Sequence, residues 1–146
     1  MNTPLQILLV EDSPHDAEFV ISALQGVNLA DHLVHVTDGQ AALDFLFGSG
    51  AFEGRDVTLL PKVVLLDLKM PKVGGMEVLR QLKADERTKL LPVVVLTSSH
   101  EDRDVTAAYQ LGASSYVVKP VDFDIFSSAM ADIGLYWLTL NVTANY

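Results

Sequence analysis

KVVLLDLKMPKVGG, residues 62–75, joins an apolar run to a loop that contains a proline and two glycines. A short run rich in valine and leucine and bounded by turn residues is typical of a buried strand in a parallel sheet. The pattern predicts a strand at Lys62–Asp67, with Asp67 at its carboxyl end. Three other apolar runs also stop at a polar residue: Ile7–Val10 at Glu11-Asp12, Val93–Leu96 at Thr97, and Tyr116–Val118 at Lys119.

Strand and helix patterns alternate along the chain. The other strand patterns are Gln6–Val10, His32–Thr37, Pro92–Thr97 and Ser115–Val118. Apolar residues at helical spacing predict helices from Pro14 to about Leu24, over Ala41–Phe47, from Gly75 to about Leu82, over Asp102–Leu111, and from about Asp122 to Trp137. Five β-α units predict an α/β fold with a doubly wound parallel sheet of five strands and five helices. Ligands bind such sheets at the carboxyl ends of the strands.

One connection is unusually long. Residues Gly48–Pro61 exceed the roughly 12 residues beyond which structureless connections become uncommon in compact domains. Such a segment is either a plain solvent loop or a functional, partner-facing one, and the sequence leaves both open.

Length and composition exclude several classes of protein. The 146 residues suit one domain over residues 1–146, with a core at about 5–137 and a tail at 138–146. A net charge of −9, with only 10 scattered Lys and Arg residues, disfavours nucleic acid as a partner. No apolar run approaches the roughly 20 residues of a membrane span, and the N-terminus lacks the pattern of a secretory signal. The absence of cysteine fits a reducing compartment, so we expect a cytoplasmic location.

The strand ends predict a metal and phosphate site. Glu11 and Asp12 after the first strand, with Asp67 after the third, would place three carboxylates around one point, and Mg²⁺ prefers such oxygen ligands. Asp67 would then act as a nucleophile toward phosphorus, while Lys119 and Thr97 contact the phosphoryl oxygens. The chemistry that this set favours is phosphoryl transfer to a carboxylate.

Each of these residues also has a simpler explanation. Asp and Thr at strand ends commonly cap the following helix, and Asp12 or Thr97 taken singly is more typical of a cap. Lys119 is harder to explain by packing, because it follows an apolar strand and precedes Pro120, which could adopt a cis bond. Capping leaves the co-occurrence of all five residues unexplained.

The chain resembles the receiver domain of two-component response regulators over almost its whole length. The matching segments are Leu9-Val10-Glu11-Asp12, Leu65-Leu66-Asp67-Leu68-Lys69-Met70-Pro71 with Gly74-Gly75, Leu96-Thr97-Ser98, and Gly112-Ala113 leading to Lys119-Pro120. The resemblance implies a flavodoxin-like sheet of order 2-1-3-4-5. It also implies that Asp67 accepts a phosphoryl group from a histidine kinase, that Glu11, Asp12, Asp67 and the Lys69 carbonyl hold Mg²⁺, and that Thr97 and Lys119 bind the phosphoryl group.

The resemblance further implies a switch and a class of partner. Thr97 would move toward the phosphate and Tyr116, three residues before Lys119, would turn inward, although Tyr116 is also an ordinary strand aromatic. Lys69 and Ser99, which are less typical of the family, would affect the lifetime of the phosphate. The segment 11–18 and the Gly48–Pro61 loop resemble single-domain regulators that partner phytochrome kinases. On this basis we expect a signalling protein, not an enzyme beyond phosphotransfer and autodephosphorylation.

The last helix carries more apolar residues than one face needs. Phe123, Phe126, Met130 and Ile133 form one stripe, with Ile125, Ala129, Tyr136 and Trp137 beside it, and Leu138, Leu140 and Val142 extend the pattern into the tail. The surplus predicts a homodimer through the face of the fourth helix, fifth strand and last helix. The alternative is that the tail folds back and covers its own apolar residues.

Three other functions compete with the phosphoacceptor. A haloacid-dehalogenase-like phosphatase would need a second acid two residues after Asp67, where this chain has Lys69. A flavodoxin-type flavin module would need a neutral phosphate cradle after the first strand, where Glu11-Asp12 would repel the phosphate. A non-phosphorylated interaction module is disfavoured because all the required residues are present.

Overall fold

Five strands form one parallel sheet in the computed structural model, which describes residues 5–144. The strands are β1 (Ile7–Val10), β2 (Leu33–Val36), β3 (Val63–Leu66), β4 (Val93–Thr97) and β5 (Ser115–Val118). Their order across the sheet is β2-β1-β3-β4-β5, as the family resemblance implied. Val10 pairs with Leu66, and Leu66 pairs with Val95. The residues that follow these strands therefore lie along one edge of the sheet.

Within residues 5–144, five α-helices cover the two faces of the sheet: α1 (Pro14–Gln25), α2 (Gly39–Phe47), α3 (Gly75–Ala84), α4 (Asp102–Gln110) and α5 (Phe123–Leu135). In β1, Ile7 and Leu9 belong to the core under α1 and α5, whereas Leu8 and Val10 belong to the core under α2, α3 and α4. Because successive strand residues point to opposite faces, a strand covered on both sides is apolar throughout. This explains why β1, β3 and β4 read as continuous apolar runs.

Several element ends differ from the predicted ones. Strands β1, β3 and β4 begin one residue later than predicted, at Ile7, Val63 and Val93, and β2 is shorter at both ends. Helix α2 begins at Gly39 instead of Ala41, because the Asp38 side chain accepts a hydrogen bond of 2.7 Å from the Ala41 N–H and caps the helix there.

The C-terminal region is more helical than predicted. Helix α5 ends at Leu135 and passes into one turn of π-helix at Tyr136–Leu140. Leu138, which the sequence assigned to the tail, is buried in the core with Phe126 and Met130. Phe123, which belongs to the same apolar stripe as Phe126, is half exposed. The folded core therefore extends past residue 137.

The peptide bonds around the predicted site are all trans. Residues 5–144 contain no cis peptide bond, so the Lys119–Pro120 bond is trans and the cis geometry that we considered for Pro120 is not adopted. Within the same residues, no helix is long and apolar enough to cross a membrane.

The long Gly48–Pro61 connection is anchored to α2. It contains a short 3₁₀ turn at Gly50–Phe52. The Arg55 guanidinium lies 4.1 Å from the centre of the Phe45 ring, and its Nε donates a 2.6 Å hydrogen bond to the Phe45 carbonyl. The Arg55 Nη1 also donates to the Leu59 carbonyl at 3.0 Å. These contacts make the segment an ordered loop that packs on the domain.

Candidate functional site

Three carboxylates meet at the carboxyl ends of β1 and β3. Carboxylate oxygens of Glu11, Asp12 and Asp67 all lie within 4.8 Å of one another. Backbone hydrogen bonds fix their positions, since the Glu11 N–H donates to the Val36 carbonyl and the Asp67 N–H to the Val10 carbonyl, both at 3.1 Å. Glu11 and Asp67 are buried, whereas Asp12 is exposed. The three acids that the sequence predicted together are together in the fold.

The donor set of this cluster fits a divalent cation. Carboxylate oxygens are preferred ligands of hard ions, and a bound ion would offset the repulsion among three closely spaced acids. The side chain of Lys69 is exposed, and the backbone N–H of Lys69 donates a 3.4 Å hydrogen bond to Asp67 Oδ1. The predicted role of the Lys69 carbonyl as a further ligand stays a prediction.

Lys119 supplies the positive charge of the site. Its Nζ donates to Glu11 Oε1 at 2.5 Å, to Asp16 Oδ2 at 2.8 Å and to Asp67 Oδ2 at 3.3 Å. The Lys119 N–H donates to the Thr97 carbonyl at 2.7 Å, which aligns the ends of β4 and β5. An ammonium has three N–H donors, so the three carboxylates use all of them.

The pKa values of Glu11 and Lys119 are both raised, but for different reasons. Burial raises the pKa of Glu11 from 4.5 to about 7; the hydrogen bond from Lys119 lowers it, and the neighbouring Asp67 raises it further. Burial alone would lower the pKa of Lys119, but hydrogen bonds to Asp16 and Glu11 outweigh this and raise it above its ordinary value. The ammonium therefore stays charged, while Glu11 can gain or lose a proton near neutral pH.

Helix capping does not account for the site residues. The N-cap of α1 is Ser13, whose side chain accepts from the Asp16 N–H, and the N-cap positions of α3 and α4 are Gly74 and Glu101. Asp12, Asp67 and Thr97 therefore do not occupy cap positions. The capping explanation that was open for Asp12 and Thr97 is wrong.

Thr97 and Tyr116 converge on the connection between β4 and α4. Thr97 is fully buried, and its Oγ1 accepts a hydrogen bond of 3.4 Å from the Ser99 N–H. The Tyr116 hydroxyl donates to the Ser99 carbonyl at 2.9 Å. The Ser99 hydroxyl in turn donates to Asp104 Oδ2 at 2.5 Å. Both predicted switch residues thus contact the same residue, Ser99.

Two residues at the site were not predicted from the sequence. Asp16, in the first turn of α1, forms an ion pair with Lys119. The Nε2 of His35 lies 2.8 Å from the Glu11 carbonyl oxygen. The sequence offered no signal that singled out Asp16, because an acid at a helix start is also explained by the helix dipole.

Comparisons with known proteins agree with this geometry. Residues 7–131 match the model of the Response regulator receiver domain family. The chain is 41% identical over 138 residues to the probable methanogenesis regulatory protein FilR2 of Methanothrix harundinacea, covering 94% of this chain and 86% of that protein. It is 38% identical over 137 residues to response regulator Rcp1 of Synechocystis, covering 94% and 91%.

Solved structures are similar over nearly the full length. The Mn²⁺-bound form of Rcp1 superposes with a TM-score of 0.88 at 36% identity, covering 97% of this chain and 99% of that one. The phosphorylated cyanobacterial phytochrome response regulator RcpA superposes with a TM-score of 0.89 at 30% identity, covering 98% and 100%. These similarities confirm the predicted fold class, and the manganese-bound relative agrees with a divalent metal site in the acidic pocket.

Proposed function

This chain belongs to the response regulator receiver domain family, and from that premise we propose that Asp67 accepts a phosphoryl group from a histidine kinase. One observation supports Asp67 above all: its carboxylate belongs to the cluster with Glu11 and Asp12 and also lies 3.3 Å from Lys119 Nζ. A nucleophile toward phosphorus needs positive charge beside it, and this acid has it.

The transfer step follows from these positions. An oxygen of the Asp67 carboxylate forms the new bond to phosphorus while the bond from phosphorus to the kinase histidine nitrogen breaks, and the electron pair stays on that nitrogen. Negative charge is then spread over the phosphoryl oxygens. The Lys119 ammonium and the Thr97 hydroxyl are the groups that we assign to bind these oxygens.

Mg²⁺ is the divalent ion that we propose for the acidic cluster. Glu11, Asp12 and Asp67 would hold it through carboxylate oxygens, with the Lys69 carbonyl as a further ligand. When bound, the ion supplies the positive charge that offsets repulsion between the acids and an incoming phosphoryl group.

Label transfer tests the acceptor. Autophosphorylated histidine kinases, including a phytochrome kinase, are incubated with wild type, Asp67→Asn and Asp31→Asn in the presence of Mg²⁺. Asp31 is an exposed aspartate outside the cluster and gives a matched control. We expect label on wild type and Asp31→Asn and none on Asp67→Asn. Equal labelling of all three proteins would place the acceptor elsewhere.

A phytochrome kinase is the partner that we propose within this class. The support is that RcpA is described as a phytochrome response regulator and superposes over nearly the whole chain. In the same assay, phytochrome kinases should label the chain faster than kinases of other classes. Equal rates for both classes would contradict this narrower assignment.

Autodephosphorylation is the other activity that we propose, with Lys69 as its modulator. Because Lys69 is exposed two residues after Asp67, its side chain can affect how water reaches the phosphorus. Lys69→Asn should change the lifetime of the phosphorylated state and leave the rate of phosphorylation nearly unchanged. Equal lifetimes for both proteins would refute this role.

We also propose a homodimer through the face of α4, β5 and α5. Large apolar side chains on these elements are exposed, including Tyr109 on α4, Val118 on β5, and Ile125 and Leu135 on α5. Light scattering at tens of micromolar, with and without beryllofluoride, should give a dimeric mass. Ile125→Asp should lower it, whereas Leu59→Asp, at a similarly exposed leucine in the α2–β3 loop, should not. A monomeric mass for wild type under both conditions would exclude the dimer.

A further inference from the structure

Asp16 holds Lys119 from outside the metal cluster. The two side chains form an ion pair with Asp16 Oδ2 2.8 Å from Lys119 Nζ. Among residues 5–144, the acids that converge on one point are Glu11, Asp12 and Asp67, and Asp16 is not one of them. A metal ion bound to that cluster would therefore leave the Asp16 carboxylate available to Lys119.

The start of α1 fixes the Asp16 carboxylate in place. The Ser13 hydroxyl accepts a 3.3 Å hydrogen bond from the Asp16 N–H and thereby caps the helix. Pro14, in the first turn, restricts the backbone that leads to Asp16. Asp16 is one-third exposed, whereas the side chain of Lys119 is 9% exposed. The acid is therefore partly screened by water, while the ammonium that it holds is not.

A phosphoryl group on Asp67 would compete with carboxylates for the N–H donors of Lys119. All three N–H groups already point to carboxylates, at Glu11, Asp16 and Asp67. A phosphoryl oxygen on Asp67 can gain a hydrogen bond from Lys119 only if one of these carboxylates loses its own. The charge of Asp16 attracts the ammonium away from the phosphoryl group and also repels that group directly.

We propose that Asp16 is a positioning residue that restrains Lys119 and so weakens the hold of the site on a phosphoryl group at Asp67. This inference rests on the proposed function of Asp67. Removal of the Asp16 charge should strengthen the binding of the phosphoryl group, because one carboxylate fewer then competes for Lys119. Because the ion pair is partly exposed and hydrogen-bonded, we expect the phosphorylation rate constant and the affinity for beryllofluoride to change by about threefold to tenfold.

Acetyl phosphate and beryllofluoride provide the two measurements. In the first reaction an Asp67 oxygen bonds to phosphorus, the bond from phosphorus to the acetate oxygen breaks, and acetate leaves with the electron pair. The second-order rate constant for phosphorylation is measured with saturating Mg²⁺ on phosphate-affinity gels, and beryllofluoride affinity is measured by NMR titration. Asp16→Asn should raise both quantities by about threefold to tenfold.

Three comparisons separate a positioning role from a merely structural one. Asp16→Glu keeps the charge and should return both quantities to near the wild-type values. Glu18→Gln makes the same charge change at an exposed residue of α1 and should leave them unchanged. The gain of Asp16→Asn should persist in 0.5 M KCl, since salt screens distant charges far more than a contact ion pair. Thermal unfolding verifies that each variant folds.

The outcomes separate this inference from the function on which it rests. No phosphorylation of wild type and none of Asp16→Asn would overturn the proposed function and the inference with it. Phosphorylation of both proteins with equal rate constants and equal beryllofluoride affinities would overturn the inference alone. A decrease in either quantity for folded Asp16→Asn would also overturn it, because Asp16 would then assist Lys119.

Discussion

The Tyr116 hydroxyl donates a 2.9 Å hydrogen bond to the backbone carbonyl of Ser99 and so joins β5 to the connection between β4 and α4. The Ser99 hydroxyl extends this link to Asp104 in the first turn of α4. Helix α4 buries only Ala108 fully, so few apolar contacts hold it to the sheet. The hydrogen bond from Tyr116 is therefore a substantial part of what fixes the start of this helix.

Tyr116→Phe should loosen the β4–α4 connection without emptying the core, since only the hydroxyl is lost. We expect the free energy of unfolding to fall by about 0.5–1.5 kcal/mol, the usual contribution of one hydrogen bond. Hydrogen exchange should increase at Ser99–Asp104 and stay unchanged in β1 and β3. Tyr136→Phe, at a half-exposed tyrosine, is the control. Unchanged exchange at Ser99–Asp104 would show that the hydroxyl does not hold this connection.

Gly75→Ala should displace the backbone that carries Asp67. A Cβ at position 75 would lie 2.3 Å from the Asp67 carbonyl oxygen, so the backbone that carries Asp67 would have to move. We expect a loss of stability of about 1–3 kcal/mol by overpacking and weaker metal binding. Gly74→Ala is the matched control, because its Cβ would meet its nearest neighbour at 3.7 Å. Urea unfolding and calorimetric Mg²⁺ titration measure the two effects, and equal values for both variants would contradict the prediction.

Affinity for a divalent ion should increase with pH through neutrality. Burial raises the pKa of Glu11 to about 7, and a carboxylate must lose its proton to ligate a metal. The deprotonated fraction then rises from roughly one-tenth at pH 6 to roughly nine-tenths at pH 8, so affinity should increase about tenfold and then level off. Calorimetry in two buffers of different ionisation enthalpy measures both affinity and proton release.

Glu11→Gln is the control for this pH dependence. The amide does not titrate, so the variant should bind the ion more weakly and lose most of the change between pH 6 and pH 8. An affinity of wild type that is the same at pH 6 and pH 8 would show that Glu11 is already ionised at pH 6.

Arg55→Lys should release the α2–β3 loop. Lysine keeps the charge but has neither the planar group that stacks on Phe45 nor the two donors that reach the Phe45 and Leu59 carbonyls. We expect the free energy of unfolding to fall by about 1–2 kcal/mol and proteolytic cleavage within Gly48–Pro61 to become faster. Arg103→Lys, at a surface arginine of α4 that is 82% exposed, should change neither quantity. Phosphorylation should be unaffected, since the loop leads into the amino end of β3, away from the site.

The strand endings were predictable because burial is encoded locally. A strand covered on both faces must be apolar at every position, and a run of this kind ends where the chain reaches solvent or a site. Asp67, Glu11-Asp12 and Thr97 follow such runs, and Lys119 follows the apolar end of the partly buried β5, so their shared edge could be expected from the sequence alone. Composition gave no comparable signal for Asp16, whose acidic character also suits a helix start.

Amino-acid order alone was enough to establish the five β-α units, the edge that carries the acids and the family, because periodicity and strand endings are properties of neighbouring residues. Tertiary structure was needed to show that Asp12 and Thr97 are not helix caps, that Leu138 belongs to the core, and that Asp16 and Lys119, 103 residues apart, form an ion pair. Such contacts depend on the position of a helix start relative to a strand that is distant in sequence. That relative position is set by packing of the helices on the whole sheet.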